Sequence, residues 1–228
     1  MIHFYRNMLE LKPPIVNDLP YPLWEYYNQY RCPPAFSSSD RVVDIGTNDG
    51  GSCLAFEMKG AGKVIGFEPS MYSFAVAREN TKKYPNIELY HKAVWRSDVE
   101  DTKLYYKETE EGYLTLSMVN NGDGDVAVET VSLDEIIERF SPIRFLKVDT
   151  EGSEYPIILT SKRLSEIQQI GMEVHLFQPE EFNSVSTQGL DLKLFGGPPL
   201  ADFIRSQGFK VEYVTTGDSG LAFIYAVK

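Results

Sequence analysis

The 228-residue chain has little cysteine, only Cys32 and Cys53 with twenty residues between them. A disulfide framework needs more cysteines and usually a smaller secreted chain, so both are read as reduced thiols. No apolar run approaches the ~20 residues that span a bilayer. Met1 to Glu10 lack a basic start followed by an apolar stretch, so no signal peptide is expected. Runs of Lys and Arg are missing too. With 22 basic against 33 acidic side chains, the net charge is −11. That argues against broad electrostatic binding to nucleic acid or anionic lipid, since both need clustered cations. The expectation is a soluble cytoplasmic protein with no nucleic-acid partner and no membrane span.

What is present is ordinary globular material, 43% hydrophobic and 24% charged. At ~100–200 residues per domain, the length suggests one large domain. Residues 1–39 stand apart. Pro13, Pro14, Pro20, Pro22, Pro33 and Pro34 interrupt regular structure, while Trp24, Tyr26, Tyr27 and Tyr30 supply surface that must pack on something. This segment reads as an N-terminal lead-in and candidate lid, with a short helix at Leu23 to Tyr30, ahead of a single domain at 40–228.

From Asp40 the texture becomes an alternation of strands and helices. Arg41 to Ile45, Val64 to Phe67 and Ile87 to Tyr90 are β-branched or apolar runs. Between them, residues 51–59 and a segment capped by Ser70 and stopped by Pro85 read as helices. β-α-β-α-β is the pattern of a parallel sheet covered by helices. The stretch at about 98–131 breaks it: Lys103 to Lys107 and Val126 to Val131 read as an antiparallel β insertion joined by the polar tip Asn120 to Gly124. The alternation resumes with a capping box at Ser132, a strand at Phe145 to Asp149, a helix with Pro156 in its first turn, and a strand at Ile170 to His175. A long loop (176–199), a helix at Leu200 to Gln207 and a hairpin, Phe209 to Thr215 with Leu221 to Val227, complete the chain.

The sharpest segment is the strand-to-helix turn Asp44-Ile45-Gly46-Thr47-Asn48-Asp49-Gly50. Glycines there let backbone approach a ligand, and the following helix offers free N–H groups to an anion. A dinucleotide fingerprint would need glycine at position 48, where Asn48 stands. Twenty-four residues after Asp44, Glu68 closes the second strand in Gly66-Phe67-Glu68-Pro69-Ser70. A carboxylate at that place in a βαβ unit accepts both hydroxyls of a ribose. Together they suggest an adenosine-bearing cofactor without a pyrophosphate, which S-adenosylmethionine (SAM) fits. The plain alternative is a tight turn with no ligand.

Here the chain resembles FkbM-type methyltransferases. Val42 to Gly50, Gly66 to Ser70, Tyr90 to Val94, Ser132 to Ile137, Phe145 to Glu154 and Met172 to His175 carry the likeness, in order, across about residues 40–228. It implies an α/β fold of the class I, Rossmann-like methyltransferase kind. That fold has a mostly parallel seven-stranded sheet flanked by helices, with an antiparallel last strand. It also implies SAM as cofactor and O-methylation of a hydroxyl on a sugar, glycan or natural-product-type small molecule. The implied cofactor residues are Asp44, Gly46, Thr47, Asn48 and Gly50 on the turn, then Glu68, Pro69 and Ser70, then Ala93 and Val94, and finally Asp149 beside the methionine part. Asp49 departs from the family, which more often has an uncharged residue there.

An alcohol is a weak nucleophile, so a base or a metal must help remove its proton. Candidates fall at two strand ends: Asp149, Glu151 and Glu154 after the fourth strand, Glu173 and His175 in the fifth, where two-residue spacing puts them on one face. His175 is the natural base, with an ordinary pKa near ~6.5. A hydrogen-bonded structural histidine is the alternative, and Glu151 could equally cap a helix. Asp149, Glu151, Glu173 and His175 could instead hold Mg²⁺ or Mn²⁺, a less favoured reading. His91 is expected on the cofactor loop, His3 on the surface, and Tyr72 beside the adenine. Two competing functions remain, a SAM-fold protein that binds without catalysis and, with less support, an NAD-linked oxidoreductase.

Overall fold

The computed structural model describes residues 28–99, 103–106, 126–177, 182, 187–217 and 220–228. His3, most of the expected Leu23–Tyr30 helix, the insertion tip and parts of the 176–199 loop and the terminal turn lie outside them.

Strand β1 (Arg41–Ile45) is followed by helix α1 (Gly51–Met58), β2 (Lys63–Phe67), α2 (Met71–Thr81) and β3 (Ile87–Tyr90). Next come β4 (Ala93–Trp95), β5 (Lys103–Tyr106), β6 (Val126–Ser132), α3 (Leu133–Phe140), β7 (Phe145–Val148) and α4 (Glu154–Thr160). Strand β8 (Gln169–His175), α5 (Gly197–Ser206), β9 (Lys210–Thr215) and β10 (Leu221–Val227) follow. Seven strands form one sheet in the order β3-β2-β1-β7-β8-β10-β9. Pairing is parallel from β3 to β8, and β10 runs antiparallel to both β8 and β9. The expected mixed, seven-stranded sheet is therefore present.

Alternation along the central strands sends side chains into two cores. Val43, Ile45, Ile65, Phe67, Leu146, Val148, Ile170, Met172 and Val174 enter one, with α3, α4 and α5. Val42, Val64 and Phe145 enter the other, with Phe56 of α1, Phe36 and Tyr30. Both faces of the parallel strands are thus buried, as their near-continuous hydrophobic runs demand.

Three elements differ from the sequence reading. Helix α2 stops at Thr81, short of Tyr84, because Thr81 turns its hydroxyl back onto the Ala77 carbonyl and a turn closes from Tyr84 N–H to Thr81. Helix α5 starts at Gly197 rather than Leu200, with Pro198 and Pro199 in a first turn that has no use for their missing N–H groups. Strand β4 was not expected at all. It pairs in parallel with β6, which pairs antiparallel with β5, so the insertion is a three-stranded sheet.

Candidate active site

Register builds the site. Asp44 of β1 lies beside Gly66 of β2 on one side and Lys147 of β7 on the other, and Lys147 lies beside Gly171 of β8. Two residues further along each strand, on the same face, come Glu68, Gly46, Asp149 and Glu173. This second row sits at the carboxyl edge of the sheet, where open α/β sheets bind ligands.

The first row is the foundation. Lys147 is buried, pairs with Asp44 at 3.1 Å, donates to the Gly46 carbonyl and stands 3.8 Å from Asp149. Burial by itself would lower its pKa, but Asp44 and then Asp149 raise it well above the ordinary value, so it stays charged. Asp44 also accepts from Ser52 and, at 3.2 Å, from the Cys53 thiol. A buried charge pair needs further hydrogen bonds to offset its desolvation, and Ser52 and Cys53 supply two of them to Asp44 Oδ2.

The glycine turn holds three successive left-handed positions in alternate places: Gly46 (φ 80°), Asn48 (φ 50°) and Gly50 (φ 84°). Asparagine tolerates that region better than other residues with a Cβ. Asn48 and Ser70 N–H groups both donate to the Glu68 carboxylate at 2.8 Å, which clamps the turn to the end of β2. Burial pushes Glu68 up to about 7, against those two hydrogen bonds. The Thr47 hydroxyl is buried at the turn without a hydrogen-bond partner among the described residues. That orphaned group, the Glu68 carboxylate and the open backbone suit an adenosine cofactor bearing an amino-acid tail. Asp49 turns away, its side chain accepting from Gly51 N–H at 3.0 Å at the start of α1. Ser70 is buried and caps α2, and His91 contacts the Pro69 carbonyl at 2.9 Å. Ala93 and Val94 are buried, with their side chains in two separate cores. Tyr72 is exposed. Glu68→Ala is expected to weaken SAM or S-adenosylhomocysteine (SAH) binding by ~1–3 kcal/mol, the scale of stranded hydrogen-bond partners. Titration calorimetry on the folded variant checks this, and unchanged affinity removes Glu68 from the site.

At the other end of the row the chain brings Asp149, Glu151, Glu173 and His175 together. His175 Nε2 lies 3.1 Å from Glu151 and 3.9 Å from Glu173, while Nδ1 lies 3.1 Å from the fully buried Glu154. Burial alone would lower the imidazole pKa, but Glu151 and Glu154 raise it to about 11. The two carboxylates thus favour the imidazolium over the neutral imidazole expected from the ordinary value. Glu173 carries the intermediate pKa instead, pushed up to about 7 by burial and by Asp149. Glu154, one of the sequence candidates after the fourth strand, fixes the ring from the first position of α4. Glu151 adopts φ 53° and its half-exposed side chain reaches His175, with Gly152 at φ 101° completing the turn. Asp149, Glu151 and His175 each offer a ligand atom, all within 4.8 Å of one another.

Two site contacts come from residues 29–30. Tyr30 donates to Asp149 at 2.8 Å, and Gln29 donates to Glu173 at 2.7 Å. Sequence reading counted Tyr30 as packing material, and nothing local to it signals a partner so far along the chain.

Compared with known proteins, residues 44–211 match the family model described as Methyltransferase FkbM domain. No curated protein matches the chain. Among solved structures it is similar to the precorrin-6y C5,15-methyltransferase of Geobacter metallireducens GS-15, with a TM-score of 0.50 and 10% identity over 90% of this chain and 87% of that one. It is also similar to a SAM-dependent methyltransferase of Aquifex aeolicus, with a TM-score of 0.44 and 14% identity over 97% and 96% of the two chains. The first likeness shows the fold. Among the described residues no helix is long and apolar enough to cross a membrane.

Proposed function

The chain belongs to the FkbM methyltransferase family, and on that footing we propose that it is a SAM-dependent O-methyltransferase acting on a hydroxyl of a sugar, glycan or natural-product-type small molecule. SAM would be held by the Gly46–Gly50 turn, Glu68 and Asp149, and supplies an electrophilic methyl group on a sulfonium. The observation that best supports the reading is the juxtaposition along one sheet edge. The ribose-type carboxylate and the glycine turn continue directly into a carboxylate cluster fit to take a proton.

Methyl transfer needs in-line placement of the acceptor oxygen and removal of its proton. Glu173 takes that proton. Its pKa of about 7 matches ordinary operating pH, which is where a general base is most effective. His175 stays protonated, lies between Glu151 and Glu154, and by its charge holds the Glu173 carboxylate in the ionised form. Glu151, half-exposed, faces the acceptor side.

A second reading rests on the close grouping of Asp149, Glu151 and His175, a mixed oxygen and nitrogen donor set suited to Mg²⁺ or Mn²⁺. The test begins with calorimetric titration of SAM, SAH and NAD, followed by a methyl-transfer screen against sugars and glycans. SAH is expected to bind and NAD not, with the methyl group recovered on oxygen. Retained SAH affinity without transfer to any hydroxyl acceptor would favour a non-catalytic binding protein. EDTA is expected to leave the rate unchanged; silencing by EDTA with recovery on adding Mg²⁺ or Mn²⁺ would transfer the proton-removing role to a metal.

A further inference from the structure

Residues 29–31 lie outside the matched family domain, yet they are fixed to the far half of the sheet. Tyr225 of β10 donates to the Gln29 carbonyl at 2.9 Å, and Gln169 of β8 donates to the Arg31 carbonyl at 2.8 Å. The Arg31 guanidinium covers the Tyr225 ring at 4.1 Å and pairs with Glu212 of β9. Gly171 completes the seat. A Cβ there would come within 2.3 Å of the Tyr30 carbonyl oxygen, so only glycine lets this backbone lie against β8.

The anchored segment delivers one buried hydroxyl into the site. Tyr30 is 2% exposed, its ring stands 5.4 Å from Lys147 Nζ, and its hydroxyl donates to Asp149 Oδ2. Burial and then Asp149 hold the phenol well above its ordinary pKa, so it remains a donor. One Asp149 oxygen is thereby fixed between the phenol and the Lys147 ammonium at 3.8 Å.

We propose that Tyr30 is a positioning residue for cofactor binding: it orients Asp149 toward the ammonium of the cofactor's amino-acid tail, so the segment preceding the family domain completes the cofactor site. This rests on the SAM reading above. The prediction is chemically selective, because Asp149 would touch the amino-acid tail while Glu68 would hold the ribose. Tyr30→Phe removes one oxygen and keeps the ring. It is expected to raise the Kd for SAH by ~5- to 20-fold, the net worth of a charge-assisted hydrogen bond discounted for acting indirectly. The Kd for 5′-methylthioadenosine, which lacks the tail, should stay the same. Asp149→Asn should show the same selectivity, and adding Tyr30→Phe to it should cost little more, since the two act through one contact.

Equal weakening of SAH and methylthioadenosine by Tyr30→Phe would make the residue merely structural and overturn the proposal, as would no change in either. Additive effects of the two substitutions would also overturn it. Wild-type protein that binds neither compound would overturn the SAM reading itself, an outcome distinct from wild-type binding with an unselective variant.

Discussion

Gly46→Val should eliminate SAH binding altogether and lower the yield of folded protein. A Cβ at Gly46 would sit 1.8 Å from the Asp149 carbonyl oxygen, a backbone atom that cannot swing aside. Its φ of 80° adds strain that a β-branched residue tolerates worst. The conflict lies between the turn and the end of β7, where Asp149 N–H donates to the Ile45 carbonyl at 3.1 Å. The substitution therefore separates the two strand ends that carry the cofactor and acceptor sides. Circular dichroism with SAH titration checks it; a folded variant with normal affinity would show that the two ends can part without loss.

Glu173→Gln should lower kcat by ~10²–10⁴, the usual worth of a general base, and leave SAH affinity near wild type. The pH profile carries the sign. Glu173 has a pKa raised to about 7, so below that pH it is protonated and cannot accept the hydroxyl proton. The wild-type rate should climb tenfold per pH unit at low pH and level off above about 7. Glu173→Gln should lack that limb. His175→Ala behaves differently, because losing the imidazolium removes a charge that holds Glu173 down. Its limb should move to higher pH rather than vanish. A limb that disappears in His175→Ala and survives in Glu173→Gln would return the base role to the histidine.

The two variants also mark where sequence reading ends. The fold was legible because each parallel strand is a short apolar run bounded by a glycine or a capped helix, and the motif order supplied the antiparallel end. The cofactor half was legible for a related reason. Its residues, Asp44 to Gly50 and Glu68 to Ser70, are local to two strand-to-helix turns whose geometry their types dictate. The acceptor half was legible only as a list. That Glu173 and His175 share a face follows from alternation, but the charge state of His175 depends on Glu151 and Glu154 arriving from the turn after β7 and the start of α4. No spacing rule gives that. Strand β4 escaped because three residues, Ala93 to Trp95, are too few to show a period, and their pairing with β6 is settled by the insertion's own core of Ala93, Trp95, Leu104 and Val128. Gln29 and Tyr30 escaped because their partners are more than a hundred residues away.

The position of β10 has a consequence for how the chain comes together in time. It pairs on both sides, with β8 and with β9, so β9 has no neighbour in the sheet until β10 is made. During vectorial synthesis, a nascent chain extending as far as β9 presents β8 as an open edge, a template for unwanted pairing. Tyr225 of β10 also anchors Gln29, which ties the start of the described chain to its end. Contacts spanning nearly the full chain close late and slowly, because loop-closure entropy is lost before they return any energy. The acceptor half of the site should therefore be the last region to acquire hydrogen-exchange protection during refolding, after the β1–β2 cofactor turn.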